Sequence, residues 1–281
     1  MNDTYPRVIG YHTPIDYKKL IEFCDLFASR YPFLSFTYLG ESILGRAIPI
    51  LSVGHGAREL LYVGGSDGTD CVTPAILLRF LNELCELYRN GQSLYRLPIS
   101  TLCEQYTVNV IPMLNPDGTE YRLHGIDPEN PLRERLLREN GGEDFSKWRG
   151  NARGAMLDGM GNGITDGIEP ELGNLCNLVQ FRGTFRIILS FSVQGEELLV
   201  PCKGQLHGRT ADLARRISAL SGYRQVLSSS EQDFCSWCNQ ALGIPAFTLK
   251  CGRGKPPIPI INYFPIYASL REMLFTIGKA V

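Results

Sequence analysis

Two carboxylates three residues apart are the first chemically suggestive feature of the chain. They lie in Gly64-Gly65-Ser66-Asp67-Gly68-Thr69-Asp70, which is followed by Thr73-Pro74 and an apolar run. In a tight turn, such a pair can converge on a cation. Without an imidazole it suits Mg²⁺ or Ca²⁺ better than Zn²⁺. Asp67 and Asp70 can equally cap the loop and helix that follow them. The four histidines, at 12, 55, 124 and 207, all lie outside this segment. Other residues of chemical interest stand at segment ends: Arg149 after Trp148, Ser192 in Phe191-Ser192-Val193-Gln194-Gly195-Glu196, and Lys250 closing Phe247-Thr248-Leu249-Lys250. Ser192 has no accompanying His, so it lacks the base of a nucleophile pair. Cys235-Ser-Trp-Cys238 has metal or redox spacing but no second pair.

The elements that must position these residues alternate in type. Thr13-Pro14-Ile15-Asp16 reads as a helix start with Thr13 as the cap, and Leu20, Phe23, Cys24 and Phe27 follow at helical spacing. Strands are expected over 35–39, 47–53, 60–63, 106–114, 185–191 and 245–249. Helices are expected after Thr73, Thr210 and Asp233 and over 263–278. The charged stretch 121–147 reads as a helical excursion, and Asn115-Pro116-Asp117-Gly118 as a turn. Strands alternating with helices predict an α/β fold with helices on both faces of one sheet, as a single domain over residues 1–281.

Totals narrow the function classes. The chain has 281 residues, 28 basic and 29 acidic, for a formal charge of -1. A nucleic-acid partner is therefore not expected, because phosphate binding calls for a basic surplus. No apolar run reaches the ~18 residues that span a bilayer, and MNDTYPRVIG contains no leader-like apolar stretch. No membrane association is expected, and the predicted location is the cytoplasm. The nine Cys, an odd number set mostly in apolar segments, read as reduced buried thiols.

Six segments, taken in order, resemble the zinc carboxypeptidase family, and most closely its bacterial branch that cleaves γ-D-glutamyl-diaminopimelate bonds in cell-wall peptides. They are 39–46, 64–74, 115–118, 148–154, 190–197 and 243–250. The resemblance covers about residues 13–278. It implies an α/β/α sandwich around a mixed, mostly parallel eight-stranded sheet, a zinc ion, and a peptide substrate. It also implies a role for each matched position. The zinc ligands of the family fall on Asp67, Asp70 and Ser192, where His, Glu and His would be expected. The general-base Glu falls on Lys250. The Asn and Arg that hold the substrate carboxylate fall on Asp158 and Gly159. Of these functional positions only Arg149, which stabilises the oxyanion, keeps its residue. Asn115-Pro116-Asp117-Gly118, Gly45-Arg46 and Thr73-Pro74 survive as scaffold.

The substitutions have physical consequences. Catalytic zinc takes three protein ligands, usually with imidazole among them, and a neutral Ser192 is a poor third. An ammonium at 250 cannot accept a proton from a metal-bound water at neutral pH. Asp158 would repel a carboxylate that Arg would hold. The sequence thus predicts a family member without bound zinc or any other cofactor. Lys250 is expected to supply part of the missing positive charge by pairing with Asp67 or Asp70. Such a protein would be catalytically inactive and keep a cleft for a peptide or muropeptide. A hydrolase using another metal at Asp67 and Asp70, and an interaction scaffold with no small-molecule site, are the alternatives.

Overall fold

The computed structural model describes residues 13–157, 168–201, 208–228 and 233–280. In chain order it contains α1 (Tyr17–Arg30), β1 (Ser35–Glu41), β2 (Ala47–Val53), β3 (Arg58–Val63), α2 (Thr73–Arg89) and the short strands β4 (Ser93–Leu94) and β5 (Leu97–Pro98). There follow α3 (Ile99–Gln105), β6 (Tyr106–Ile111), α4 (Pro116–His124), α5 (Arg133–Asn140), α6 (Pro170–Arg182), β7 (Phe185–Val193) and β8 (Glu197–Val200). The last elements are α7 (Gly208–Ser221), β9 (Arg224–Leu227), α8 (Phe234–Ala241), β10 (Ala246–Cys251) and α9 (Tyr263–Thr276). Eight strands form one sheet in the order β1-β2-β6-β3-β7-β10-β8-β9. The central strands β6, β3, β7 and β10 are mutually parallel, whereas β1, β2 and β8 join by antiparallel pairings. This is the mixed α/β sheet that the sequence predicts.

Strand periodicity divides the core into two layers. Along β7, Ile187, Leu189, Phe191 and Val193 point to one face, and Ile188, Ser190 and Ser192 to the other. Along β10, Phe247, Leu249 and Cys251 share the first face with Leu198 and Val200 of β8. That layer is closed by α2 and α9, where Phe80 packs edge-on to Phe275 and against Tyr62. The second layer holds Leu61, Val63, Ile188 and Ala246 beneath Leu172, Leu175 and Phe234 of α6 and α8. It is apolar only until β7 and β10 near their carboxyl ends, where it turns to Ser190, Ser192, Thr248 and Lys250.

Helix α2 is buried along nearly its whole length, so its charges need partners. Glu83 accepts from the Tyr267 hydroxyl and the Arg271 guanidinium of α9. Glu86 accepts from Tyr31 and from Arg30 Nε at 3.0 Å. Both carboxylates are paired, as buried charge requires.

Several expected boundaries moved. Helix α1 is capped by Asp16 rather than Thr13: the Asp16 carboxylate accepts the Lys19 N–H at 2.8 Å. Replacing Asp16 with Ala should lower stability by about 1 kcal/mol, readable as a shifted urea midpoint. The 121–147 excursion comprises the end of α4, then α5 and a 3-10 turn at Phe145–Lys147. Asn115-Pro116-Asp117-Gly118 opens α4, with Asn115 as cap and Pro116 in the first turn. Helix α6 and strands β8 and β9 carry no distinctive sequence signal and were not anticipated. Among the described residues no helix is long and apolar enough to cross a membrane.

Candidate functional site

The site begins at the carboxyl end of β3, where the chain turns into α2. Gly64 and Gly65 leave room for what crosses them: a Cβ on Gly64 would come within 2.8 Å of Leu77, and Gly65 adopts φ +60°. The turn is held by Asn115, which is fully buried. Its side-chain carbonyl accepts the Gly118 N–H at 2.8 Å. Its amide lies within 3.2 Å of the carbonyls of both Ser66 and Gly150. One side chain thus ties together the β3–α2 turn, α4 and the segment carrying Arg149. Nearby, Asp117 takes Arg46 at 2.6 Å, Ser42 at 2.9 Å and the Leu44 N–H at 3.0 Å. Two of the scaffold motifs, Gly45-Arg46 and Asn115-Pro116-Asp117-Gly118, therefore bind each other.

Asp67 and Asp70 face separate partners. Asp67 Oδ1 accepts the Thr69 N–H at 2.8 Å and the Thr69 hydroxyl at 2.7 Å. Its Oδ2 accepts Arg149 Nε at 2.7 Å. Asp70 Oδ1 accepts the Val72 and Thr73 N–H groups at 3.1 and 2.9 Å, and Oδ2 accepts the Thr73 hydroxyl. Asp70 thereby covers the free N–H groups that open α2. Burial pushes its pKa up to about 6, against these hydrogen bonds and with the Asp67 charge adding to the rise. The expected pairing of Lys250 with Asp67 or Asp70 is not formed. Arg149 takes Asp67, the helix N-terminus takes Asp70, and among the described residues Lys250 makes no ion pair.

Lys250 and Ser192 are direct neighbours across the β10–β7 pairing, and Lys250 and Glu197 across β10–β8. All three line a cavity of about 450 Å³ with Ser66, Ser190 and Thr248. Apolar walls come from Leu157, from Leu172 and Leu175 of α6, and from Phe234 of α8. Glu197 is bonded to Arg224 of β9. Asp233, also on the wall, caps α8 through the Ser236 N–H at 2.7 Å and takes the Ser228 and Ser236 hydroxyls. Cys235 and Cys238 are buried free thiols in α8, and burial raises both thiol pKa values; they carry no reactive thiolate. Sequence reasoning missed Glu197 and Asp233 as wall residues, because only the strand order brings β8 and α8 beside β10. Asp158 and Gly159 lie outside the described residues.

The model of the zinc carboxypeptidase family matches residues 20–230. The chain belongs to the zinc carboxypeptidase family. It is 25% identical over 283 residues to gamma-D-glutamyl-L-diamino acid endopeptidase 1 of Lysinibacillus sphaericus, a match covering 93% of this chain and 71% of that one. Over 157 residues it is 29% identical to the inactive metallocarboxypeptidase ECM14 of Ajellomyces capsulatus, covering 48% of this chain and 24% of that protein. The fold superposes on thrombin activatable fibrinolysis inhibitor with a TM-score of 0.72 at 17% identity, covering 99% of this chain and 78% of the other.

The family's zinc does not fit the residues that occupy its positions. Zinc needs three donors with free lone pairs. Asp67 and Asp70 each already accept three hydrogen bonds, from Arg149 and Thr69 and from the start of α2 respectively. Ser192 offers a neutral hydroxyl, directed 3.3 Å from the carbonyl of Val193. Among the described residues no three His, Cys, Asp or Glu side chains are grouped to hold a metal. A zinc ion beside Asp67 would also have to displace the Arg149 guanidinium or tolerate its charge.

Proposed function

We propose that this carboxypeptidase-fold protein does not hydrolyse peptides and binds a peptide, in particular a cell-wall peptide fragment, in its retained cleft. The observation that carries this reading is the commitment of Asp67 to Arg149 and of Asp70 to the N-terminus of α2. Both would-be ligands serve the scaffold, and the remaining group at the cavity floor is a cation. The name of the Lysinibacillus relative supports the choice of a γ-D-glutamyl peptide as ligand class. A relative named as an inactive metallocarboxypeptidase supports the reading of lost hydrolysis.

The test is elemental analysis of protein purified without chelator, run beside a peptide-cleavage assay with and without EDTA. The expected result is far less than one metal ion per chain and no EDTA-sensitive cleavage. Muropeptides should raise Tm without being turned over, since a ligand that binds only the folded state stabilises it. Stoichiometric metal with EDTA-sensitive hydrolysis would overturn the reading. It would favour a hydrolase using a different metal.

A further inference from the structure

We infer that the outer face of α7, together with the 3-10 turn Ile277–Ala280, is a docking surface for an acidic polypeptide segment.

The charges on these elements do not balance one another. Arg209, Asp212 and Arg216 recur at helical spacing on α7, with Arg215 beside them, and all four are exposed. Leu213, Ala214 and Ile217 form the buried side of the same helix. Lys279 is exposed on the 3-10 turn, which packs against α7. Where the two elements meet, a surface depression of about 470 Å³ is lined by Asp212, Leu213, Arg215, Arg216 and Ala280. Asp212 bonds to Arg215. Arg209, Arg216 and Lys279 have neither ion pair nor hydrogen bond among the described residues. On the neighbouring α9, Glu272 is exposed and Arg271 is committed to Glu83. Four cations (Arg209, Arg215, Arg216, Lys279) thus stand against two carboxylates (Asp212, Glu272), a local surplus of two positive charges on a chain whose formal charge is -1. Such a surface attracts a partner of opposite sign.

The patch lies away from the cleft. Strand β8 begins opposite Lys250 and runs antiparallel to β10, so it ends toward the amino ends of the central strands. Strand β9 is parallel to β8, so α7 must run back between them and starts at that same end. The 3-10 turn is there too: a Cβ on Gly278 would come 3.4 Å from Leu60 of β3 and 3.5 Å from Tyr106, the first residue of β6.

The chemistry of the patch selects its partner. Guanidinium forks match carboxylates, and the Arg215–Asp212 pair is one such match within the patch itself. Asp212 lies between Arg209 and Arg216 along the stripe, so an unbroken run of phosphates would bring like charge onto it. Carboxylates spaced along a polypeptide can meet Arg209 and Arg216 on either side of it.

Fluorescence anisotropy of labelled decaglutamate and decaglutamine, titrated with the whole chain at low ionic strength, tests the proposal. Decaglutamate should bind at least about tenfold more tightly than decaglutamine, and added salt should weaken it. Arg209→Glu combined with Arg216→Glu should lower the decaglutamate affinity by about tenfold or more. Lys18→Glu combined with Lys147→Glu makes the same charge change on exposed residues of other elements and should leave it within about twofold. All four substituted residues are exposed, and urea midpoints establish that both variants fold. Equal binding of the two peptides, an equal loss in both variants, or tighter binding of an oligothymidylate than of decaglutamate would overturn the inference. The comparisons of decaglutamate with decaglutamine and with oligothymidylate use the unmutated protein and stand without the variants.

Discussion

Asn115→Ala should destabilise the protein by about 3–4 kcal/mol, more than any surface change near the site. Asn115 has no exposed surface and makes three contacts of hydrogen-bond length with buried backbone. Alanine would leave the Gly118 N–H and the Ser66 and Gly150 carbonyls without this partner. Each buried polar group left unpaired costs roughly 1–3 kcal/mol. The effect should appear as a lower urea midpoint with an unchanged slope. It should also weaken ligand binding, because Ser66 and the Arg149 segment are both hung on this side chain. A loss below about 1 kcal/mol would mean that the junction is held by other contacts.

The second large effect is a pH dependence from Asp70. Its folded-state pKa is pushed up to about 6 from an ordinary 3.8, with burial as the leading cause. Between these values the folded protein retains a proton that the unfolded chain has released. Stability therefore falls as pH rises through the window from about 4 to 6, and is fullest below it. The shift corresponds to about 3 kcal/mol across the window. Asp70→Asn keeps an acceptor for the Val72 and Thr73 N–H groups and does not titrate. The stability of this variant relative to the unmodified chain should rise by about 3 kcal/mol from pH 4 to pH 7 in urea melts. Parallel pH profiles would refute the assignment. A bound metal ion would favour the ionised carboxylate and reverse the slope, so the same curve bears on the metal-free reading.

The two effects show what the retained motifs are for. Arg46, Ser42 and Asp117 bind one another, and Asn115 binds three loops. These residues build the junction at the carboxyl end of β3, and their loss would cost stability whether or not a reaction takes place. Asp67 and Asp70, carboxylates in a tight turn, serve the same junction through Arg149 and the start of α2.

Much of this was legible in the residues. Helix α2, strand β7 and strand β10 announce themselves through periodicity, and β7 and β10 also place Ser192 and Lys250 on one face because strand side chains alternate. The cap of α8 at Asp233 is equally local. Elements lacking such signals were missed: β8 and β9 have four residues each, and α6 follows a segment outside the described residues. Asn115 was misread as a turn because Asn-Pro begins both turns and helices, and only the following residues' hydrogen bonds separate them.

What the sequence determined by itself was the set of groups available: the carboxylates of Asp67 and Asp70, the hydroxyl of Ser192 and the ammonium of Lys250. Pairing was decided only by the tertiary structure. Asp67 lies 82 residues from Arg149, and Lys250 lies 53 residues from Glu197, separations over which the chain's local preferences say nothing. The junction around Asn115 carries Arg149 to Asp67, the N-terminus of α2 takes Asp70, and the order of strands β7, β10 and β8 turns Lys250 into a cavity with no described partner. Opposite charges attract at any distance in the sequence, but which of them meet is set by the packing that brings their backbones together.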